Sequence, residues 1–465
     1  MVKKMENEKL ILSLGGDEEA YLQDESKYEG MAYSISFPKT EVQVAEVVRT
    51  CMENHDKITI QGALTGITGA GVPVCGHVMN MKHMNQFFGI EETDSIYYAK
   101  VEAGITMEEL EREIRRETNN QYFFPIVPTE KTATIGGVVA SGASGLQSYS
   151  YGDIEKYIEE ITLCDSKGLL RTLKKEELKP YIRSEGMLGI ITKVTLRLVR
   201  KPECLWGILF LFSTDQQACE FADRIVQEKD VTVLEYLDYN TIEVIKKYQN
   251  HMSSIAELPE IPMDMRALIY VEIAGMNESG VETCAMHLIE QCVESGGNPD
   301  IAWAMTGETE LEPIRAYRHA ASECVNMEIS AHHGRDKRIK KLSVDVKWNT
   351  KSRKEIIMNY QKDLKESGLQ YCIFGHLGTK QPYVNIIAKD GTEYQKGKIL
   401  IKNWIIEAYA EQGEVFHENG IGKLKKEYFC DLAPIEAINY RLKSKAKWDP
   451  QYLFNPKNMF EESVL

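Results

Sequence analysis

Apolar positions along the chain recur at two spacings, and the spacing changes with the region. Val44, Val47, Val48 and Cys51 lie at helical intervals, which predicts a helix after Phe37-Pro38-Lys39, with Thr40 and Gln43 as its capping box. Residues 57–60, 78–81, 97–103 and 161–165 read as short strands, and 190–199 alternates with period two. Thr106 and Glu109 form a second capping box. Beyond residue 200 the apolar runs lengthen. Strands are expected at 208–212 and 268–273, and helices at 215–228, 277–295, 310–326 and 398–411. Residues 337–354 are rich in Lys and Arg but include Val344, Val346 and Trp348, which predicts a solvated edge strand and loop. Contact with an acidic partner is the sharper alternative. Asp449-Pro450 and Asn455-Pro456 punctuate the tail, and there is no internal repeat.

Composition narrows the function classes. With 465 residues, 43% of them hydrophobic, the chain is long enough for two or three domains. Lys plus Arg number 55 and Asp plus Glu 70, so the net charge of −15 argues against nucleic acid as a partner. No apolar run reaches the roughly 18–20 residues that span a bilayer. The first twenty residues carry only a short apolar patch before turning acidic, which is no secretory signal, so a cytoplasmic protein is expected. The ten cysteines include no CxxC, so zinc ribbons and Fe–S clusters are not signalled and free thiols are expected.

Two small-residue loops carry the candidate chemistry. The first runs Gln61-Gly62-Ala63-Leu64-Thr65-Gly66-Ile67-Thr68-Gly69-Ala70-Gly71 directly after a strand. Glycines let backbone N–H groups approach an anion closely, and the Thr hydroxyls add donors, which suits a pyrophosphate. It is neither a Walker A loop, since no GK[ST] closes it, nor a Rossmann GxGxxG. The second cluster is Pro128-Thr129, then residues 133–145 (ATIGGVVASGASG), followed by Tyr151-Gly152-Asp153 and Ser184-Glu185-Gly186-Met187-Leu188-Gly189-Ile190. Two such loops can hold one long, flat cofactor from both sides.

Together these motifs resemble the flavin domain of the vanillyl-alcohol oxidase superfamily, also called PCMH-type. More narrowly they resemble its glycolate-oxidase-subunit-D and D-lactate dehydrogenase branch. That branch reads RGGGTSLSG, ATIGGNIA–NAGG, RYG, GSEGTLGI and DP…NPGK. This chain reads QGALTGITG, ATIGGVVASGASG, SYGD, RSEGMLGIIT and Asp449-Pro450…Asn455-Pro456-Lys457, in the same order from about residue 34 to the end. The resemblance implies an α+β fold: a two-subdomain PCMH-type FAD-binding domain at 1–202, an α+β cap with a mixed or antiparallel sheet and helices on one face at 203–431, and a return to the FAD domain at 432–465. It implies FAD held by Gln61, Gly62, Ala63, Leu64, Thr65, Gly66, Thr68 and Gly69 at the pyrophosphate. Pro128, Thr129, Gly136, Gly137, Ser141 and Ser144 would lie along the ring and ribityl parts, and Glu185, Gly186 and Ile190 toward the adenosine, with Asn455 from the tail. Some members attach the flavin through a His in or near the first loop. None lies between Ile58 and Gly76, and His77 is just beyond, so non-covalent FAD is expected.

The same branch carries an Arg in a helix and then GHxGDGNxHxN and EHGIGxxK. Arg318 falls at the Arg position, with Arg315 as a neighbour, and a guanidinium suits a substrate carboxylate. Asp345 matches a family Asp, and Lys341 shortly before it can add positive charge. His376 and Asn385 align, but Tyr383 replaces the second His. Glu418 aligns, but Asn419 replaces the His after it, and His417 sits next door. In the family the His, His, Glu and His set can bind a divalent metal. Here only His376 and Glu418 remain as good ligands, fewer than the three that a catalytic metal needs, which argues against a metal.

The function implied is an FAD-dependent dehydrogenase that takes hydride from a small 2-hydroxy acid or related alcohol onto flavin N5. The alternative is a superfamily flavoenzyme with metal-free Tyr/His chemistry on a phenolic, alcohol or unsaturated substrate. Tyr383, His376 and His417 are the candidates for base or polariser. No acceptor module is fused, so electrons are expected to leave to an electron-transfer flavoprotein or a quinone. A homodimer is compatible with the sequence, which does not fix the assembly.

Overall fold

A computed structural model describes residues 10–461. Two sheets form from the first 200 residues. A four-stranded sheet takes the order Leu12–Ser13, Ser34–Ser36, His77–Asn80, Ile58–Gln61, and its inner pairs are parallel. An antiparallel five-stranded sheet takes the order Phe87–Thr93, Ile96–Glu102, Ile190–Arg197, Ile158–Cys164, Leu170–Lys174. The expected strand 190–199 is broken at Leu198, because Val199–Arg200 leaves this sheet to pair with Tyr122–Phe123.

Local signals set several boundaries. The helix Glu41–Glu53 starts where Thr40 accepts the Gln43 N–H. The box is not reciprocal, since the Gln43 side chain takes the Lys39 N–H instead, one residue early. The Thr106/Glu109 box is complete and starts the helix Met107–Glu117.

The following seven-stranded sheet is antiparallel throughout, in the order Trp303–Thr306, Cys204–Phe212, Ala267–Gly275, Val231–Asp238, Tyr371–His376, Gln381–Ile386, Leu342–Val344. Helices cover both of its faces, not one as expected. Ile208, Phe210, Phe212, Ile269 and Val271 belong to one core with Phe221 and Leu288. Leu209, Leu211, Leu268 and Tyr270 belong to another with Ile242, Ile245 and Ile314. A strand buried on both sides must be apolar at every position, which is why these segments read as continuous runs.

The basic stretch 337–354 also differs from expectation. It contributes the edge strand Leu342–Val344, but Lys341, Ser343 and Asp345 are buried and not solvated. Its cations find partners within the chain: Lys337 with Glu29, Lys347 with Glu414, Lys351 with Glu407, and Arg353 with Asp223. Lys337, Arg338 and Lys354 nevertheless remain exposed. All ten cysteines are free thiols.

The tail returns to the first sheet. Leu453 accepts the Ile58 N–H, and Asn455 donates its N–H to Ile58. Within this return Lys445 is buried, donating to Asp449 at 2.7 Å and to the carbonyls of Met187 and Phe454. Asp449 also accepts the Leu453 and Phe454 N–H groups. Asp449→Ala leaves a buried ammonium without its counter-charge. The expected loss is about 3–5 kcal/mol of stability, read from urea denaturation of the purified protein.

Candidate active site

A cleft of about 1200 Å³ lies between the first two sheets and the seven-stranded sheet. On one side the first glycine loop lines it through Gln61, Gly62, Ala63, Leu64, Thr65 and Gly66. Leu64 has φ of 60°, so the backbone turns sharply there. The N–H groups of residues 63–67 meet no acceptor among the described residues. Orphan amides beside a cavity suit an anion. Pro128, Thr129, Gly136, Gly137 and Ser141 line the adjoining wall. The two loops touch: a Cβ on Gly62 would lie 2.2 Å from the Thr134 hydroxyl, so only glycine allows this approach. Glycine-floored walls and free amides fit an elongated cofactor with an anionic middle.

Four residues of the expected cofactor set lie outside the lining. Thr68 is buried, and its carbonyl accepts the Lys423 and Leu424 N–H groups. Gly69 gives its N–H to Asp24. Ser144 is buried behind Ala143, which does line the cleft. Ile190 is buried in its strand opposite Cys164, while Gly189 and Ile191 reach the cleft. Glu185, Gly186 and Asn455 are in the lining, but two of these have their polar groups engaged. The Glu185 carboxylate accepts the Ile421 and Gly422 N–H groups. The Asn455 amide accepts the Ile60 N–H and donates to the Glu185 carbonyl.

The opposite wall includes Phe374, Tyr383, Asn385, Glu418, Asn419 and Lys341. Tyr383 and Asn385 come from the strand Gln381–Ile386, whose pairing with Leu342–Val344 sets Ser343 opposite Asn385, and Lys341 immediately precedes that edge strand. Asp345 shapes the 418–419 turn, because one of its oxygens accepts both the Glu418 and Asn419 N–H groups and the other holds Lys425. Lys341 is buried, donates to Asn326 at 2.6 Å, and is pushed by that burial down to about 7.

Behind this wall is a closed charge network. Glu235 is fully buried and accepts from Arg318 Nε at 2.7 Å and from His376 Nδ1 at 2.6 Å. Burial by itself would raise the Glu235 carboxyl, but His376 and Arg318 outweigh it and hold it low. Burial would likewise lower His376, yet Glu235 and Glu418 raise it to about 10, so it is an imidazolium near neutrality. His376 Nε2 lies 3.5 Å from Glu418 Oε2. Burial first and Glu418 second push the Tyr383 phenol well up, so it stays protonated.

This arrangement changes three expectations. Arg318 is in the network and not in the cleft lining. Its guanidinium is committed to Glu235, with Nη1 left buried and unpartnered. Arg315 is equally committed, gripping Glu272 through two bonds of 2.7 and 2.8 Å. His417 does not converge with Glu418. Its ring sits between Asp153 at 3.1 Å and Glu414 at 3.0 Å, since adjacent side chains point apart. Among the described residues no three His, Cys, Asp or Glu side chains come together in a way that could hold a metal. One imidazole, one carboxylate, a phenol and an amide are a poor donor set for a divalent ion.

The motifs did not point to Glu235, Asp24 or His319. For Glu235 a signal existed: a carboxylate in the middle of the apolar run VTVLEYL. Asp24, in the lining beside the first glycine loop, is held by burial at about 6.

Comparison with known proteins agrees with this architecture. A family model described as an FAD binding domain matches residues 34–174. One described as FAD linked oxidases, C-terminal domain, matches residues 206–459. The chain is 26% identical to glycolate oxidase subunit GlcD of Bacillus subtilis (strain 168), over 94% of this chain and 91% of that protein. It is 26% identical to D-lactate dehydrogenase of Anaerostipes hadrus, over 95% and 93%. It is 25% identical to mitochondrial D-2-hydroxyglutarate dehydrogenase of Danio rerio, over 92% and 78%. An alkyldihydroxyacetonephosphate synthase structure superposes with a TM-score of 0.68 at 17% identity, covering 98% of this chain and 83% of that one. With the PCMH-type α+β fold in place and the C-terminal-domain match running over more than half of its length, the chain belongs to the FAD-linked oxidases.

Proposed function

We propose that the protein is an FAD-dependent dehydrogenase of a small 2-hydroxy acid, working without a metal and passing electrons to a separate acceptor. The observation that carries this reading is a buried lysine, Lys341, in the cleft wall that also holds Asn385 and Tyr383. A buried ammonium there is a natural partner for a substrate carboxylate. Relatives whose names give glycolate, D-lactate and D-2-hydroxyglutarate as substrates support the class.

Residues 1–202 and 432–465 would hold non-covalent FAD, with the first glycine loop at its pyrophosphate and residues 128–141 along its ring. His77 is unsuited to a covalent link, since its ring is bonded on both nitrogens by Ser34 and Ser36. When bound, FAD supplies a two-electron acceptor for hydride. Lys341 and Asn385 would orient the carboxylate. Tyr383, held protonated, can donate to the substrate oxygen and steady the developing carbonyl. Glu418 and Glu235 keep His376 charged, so His376 serves as a fixed positive charge behind the reacting carbon and not as a base. His417 faces the other way and takes no part. A phenolic or simple alcohol substrate would leave Lys341 without a function. Flavin reduction by such a compound, with none by hydroxy acids, would select that alternative.

The direct test is anaerobic mixing of the FAD-loaded protein with glycolate, D-lactate and D-2-hydroxyglutarate. Loss of the oxidised flavin absorbance with at least one of them is the expected result, and the rate should be unchanged after exhaustive treatment with a chelator. Lys341 is cationic below its value of about 7 and neutral above it. Substrate affinity should therefore fall as pH rises through that value, and Lys341→Met should weaken it by about 10–100-fold and flatten the dependence. Gly66 has room for a side chain, with Asp24 the nearest atom at 3.7 Å, so Gly66→Leu intrudes on the cofactor without disturbing the fold. We expect at least about tenfold weaker FAD binding by titration with unchanged circular dichroism.

A further inference from the structure

The imidazoles of the family motifs are both bound by carboxylates, so neither is free to act as a base. The helix Glu308–Arg335 supplies one from outside those motifs. It presents Ala316, His319, Ala320, Glu323, Asn326 and Met327 to the cleft, spaced so that one face looks into it. His319 is half-buried in this face, in the lining of the cleft. Neither of its nitrogens meets a hydrogen-bond partner among the described residues. His376 and His417, by contrast, each contact two carboxylates.

We propose that His319 is the general base of this cleft, taking the hydroxyl proton of a bound 2-hydroxy acid. This rests on the substrate reading above. The O–H bond breaks with its proton passing to a ring nitrogen of His319. The Cα–H bond breaks with its electron pair leaving as hydride to the flavin, which is reduced by two electrons. The oxygen lone pair becomes the carbonyl of a 2-oxo acid.

The surroundings keep the ring unprotonated before substrate binds. Burial first, then Arg318, Lys131 and Arg315, push His319 down to about 3, with Glu235 opposing more weakly. The ring is therefore neutral, with a free lone pair, across the working range. Arg315 and Arg318 act from its own helix, Lys131 from the loop lining the flavin side, and Glu235 from the strand behind. A substrate carboxylate adds negative charge among these cations and strengthens the base only when substrate is present. The acid limb of kcat should then lie at higher pH than that of kcat/KM.

Two measurements on the FAD-loaded protein test this. Diethyl pyrocarbonate labelling read by peptide mass spectrometry should modify His319 ahead of His376 and His417, and saturating oxalate should slow that labelling at least about tenfold. His319→Gln should slow anaerobic flavin reduction by about 10²–10⁴-fold while oxalate still perturbs the flavin spectrum. Added imidazole should restore part of the rate in His319→Ala. Wild-type reduction rates in His319→Gln, or labelling indifferent to oxalate, would overturn the assignment while leaving the substrate class standing. If no 2-hydroxy acid reduces the wild-type flavin, the substrate class fails, and the base assignment fails with it.

Discussion

The cleft depends on a reciprocal exchange of buried charged groups across the seam between its two walls. Glu185 reaches from the flavin side to cap the Ile421 and Gly422 N–H groups. Lys423 reaches back to the Gly69 carbonyl at 3.1 Å and to Asn458 at 2.6 Å. Both pay the same physical penalty: burial raises the Glu185 carboxyl and lowers Lys423 to about 7. A buried charge tolerates little displacement, because any lost hydrogen bond leaves it uncompensated. The seam is therefore held tightly in register. Gly422 packs against Thr68 so closely that a Cβ would lie 2.3 Å from its carbonyl oxygen. The glycine loop, the tail asparagines and the 418–423 turn are consequently tied to one another.

The cap wall applies the same logic to chemistry. Its strongest acids and bases neutralise one another in the layer behind the cleft, through Glu235 with Arg318 and His376, and through Glu272 with Arg315. Facing the cavity are, among others, Lys341, Tyr383, Asn385, Glu418, Glu323 and His319. The motif residues thus divide into those that set the field and those that meet the ligand. A histidine in a family motif is not for that reason a base. His376 is charged because two carboxylates surround it, while His319 is neutral because burial first, and neighbouring cations second, disfavour its charge.

Much of this was legible in the chain. The glycine loops, the GSEG-like turn and the tail asparagine lie close together in the structure, since each motif is a local backbone conformation that its own residues impose. Strand and helix positions in the first 200 residues follow from periodicity within a few residues. The failures have physical causes. Residues 337–354 looked solvated because charge patterning cannot tell a lysine facing water from one paired inside, as with Lys351 and Glu407. Helices were expected on one face of the cap sheet because an unbroken run such as Gly-Ile-Leu-Phe-Leu-Phe does not declare that both faces are covered. Glu235 showed only as a carboxylate in an apolar run, and its role could not be read because its partners are 83 and 141 residues away.

The sequence by itself determined the cofactor class, the fold family and which short segments carry the chemistry, since those reside in motifs whose conformations are local. Tertiary structure alone decided the protonation and use of each side chain. Burial, and the sign of the charges that folding brings alongside, choose between acid, base and structural tie, and neither is encoded within reach of one motif. His417 and Glu418 are neighbours in sequence, yet one faces Asp153 and the other the cleft. That divergence follows from a turn pinned by Asp345, far away in sequence and adjacent only once the chain has folded.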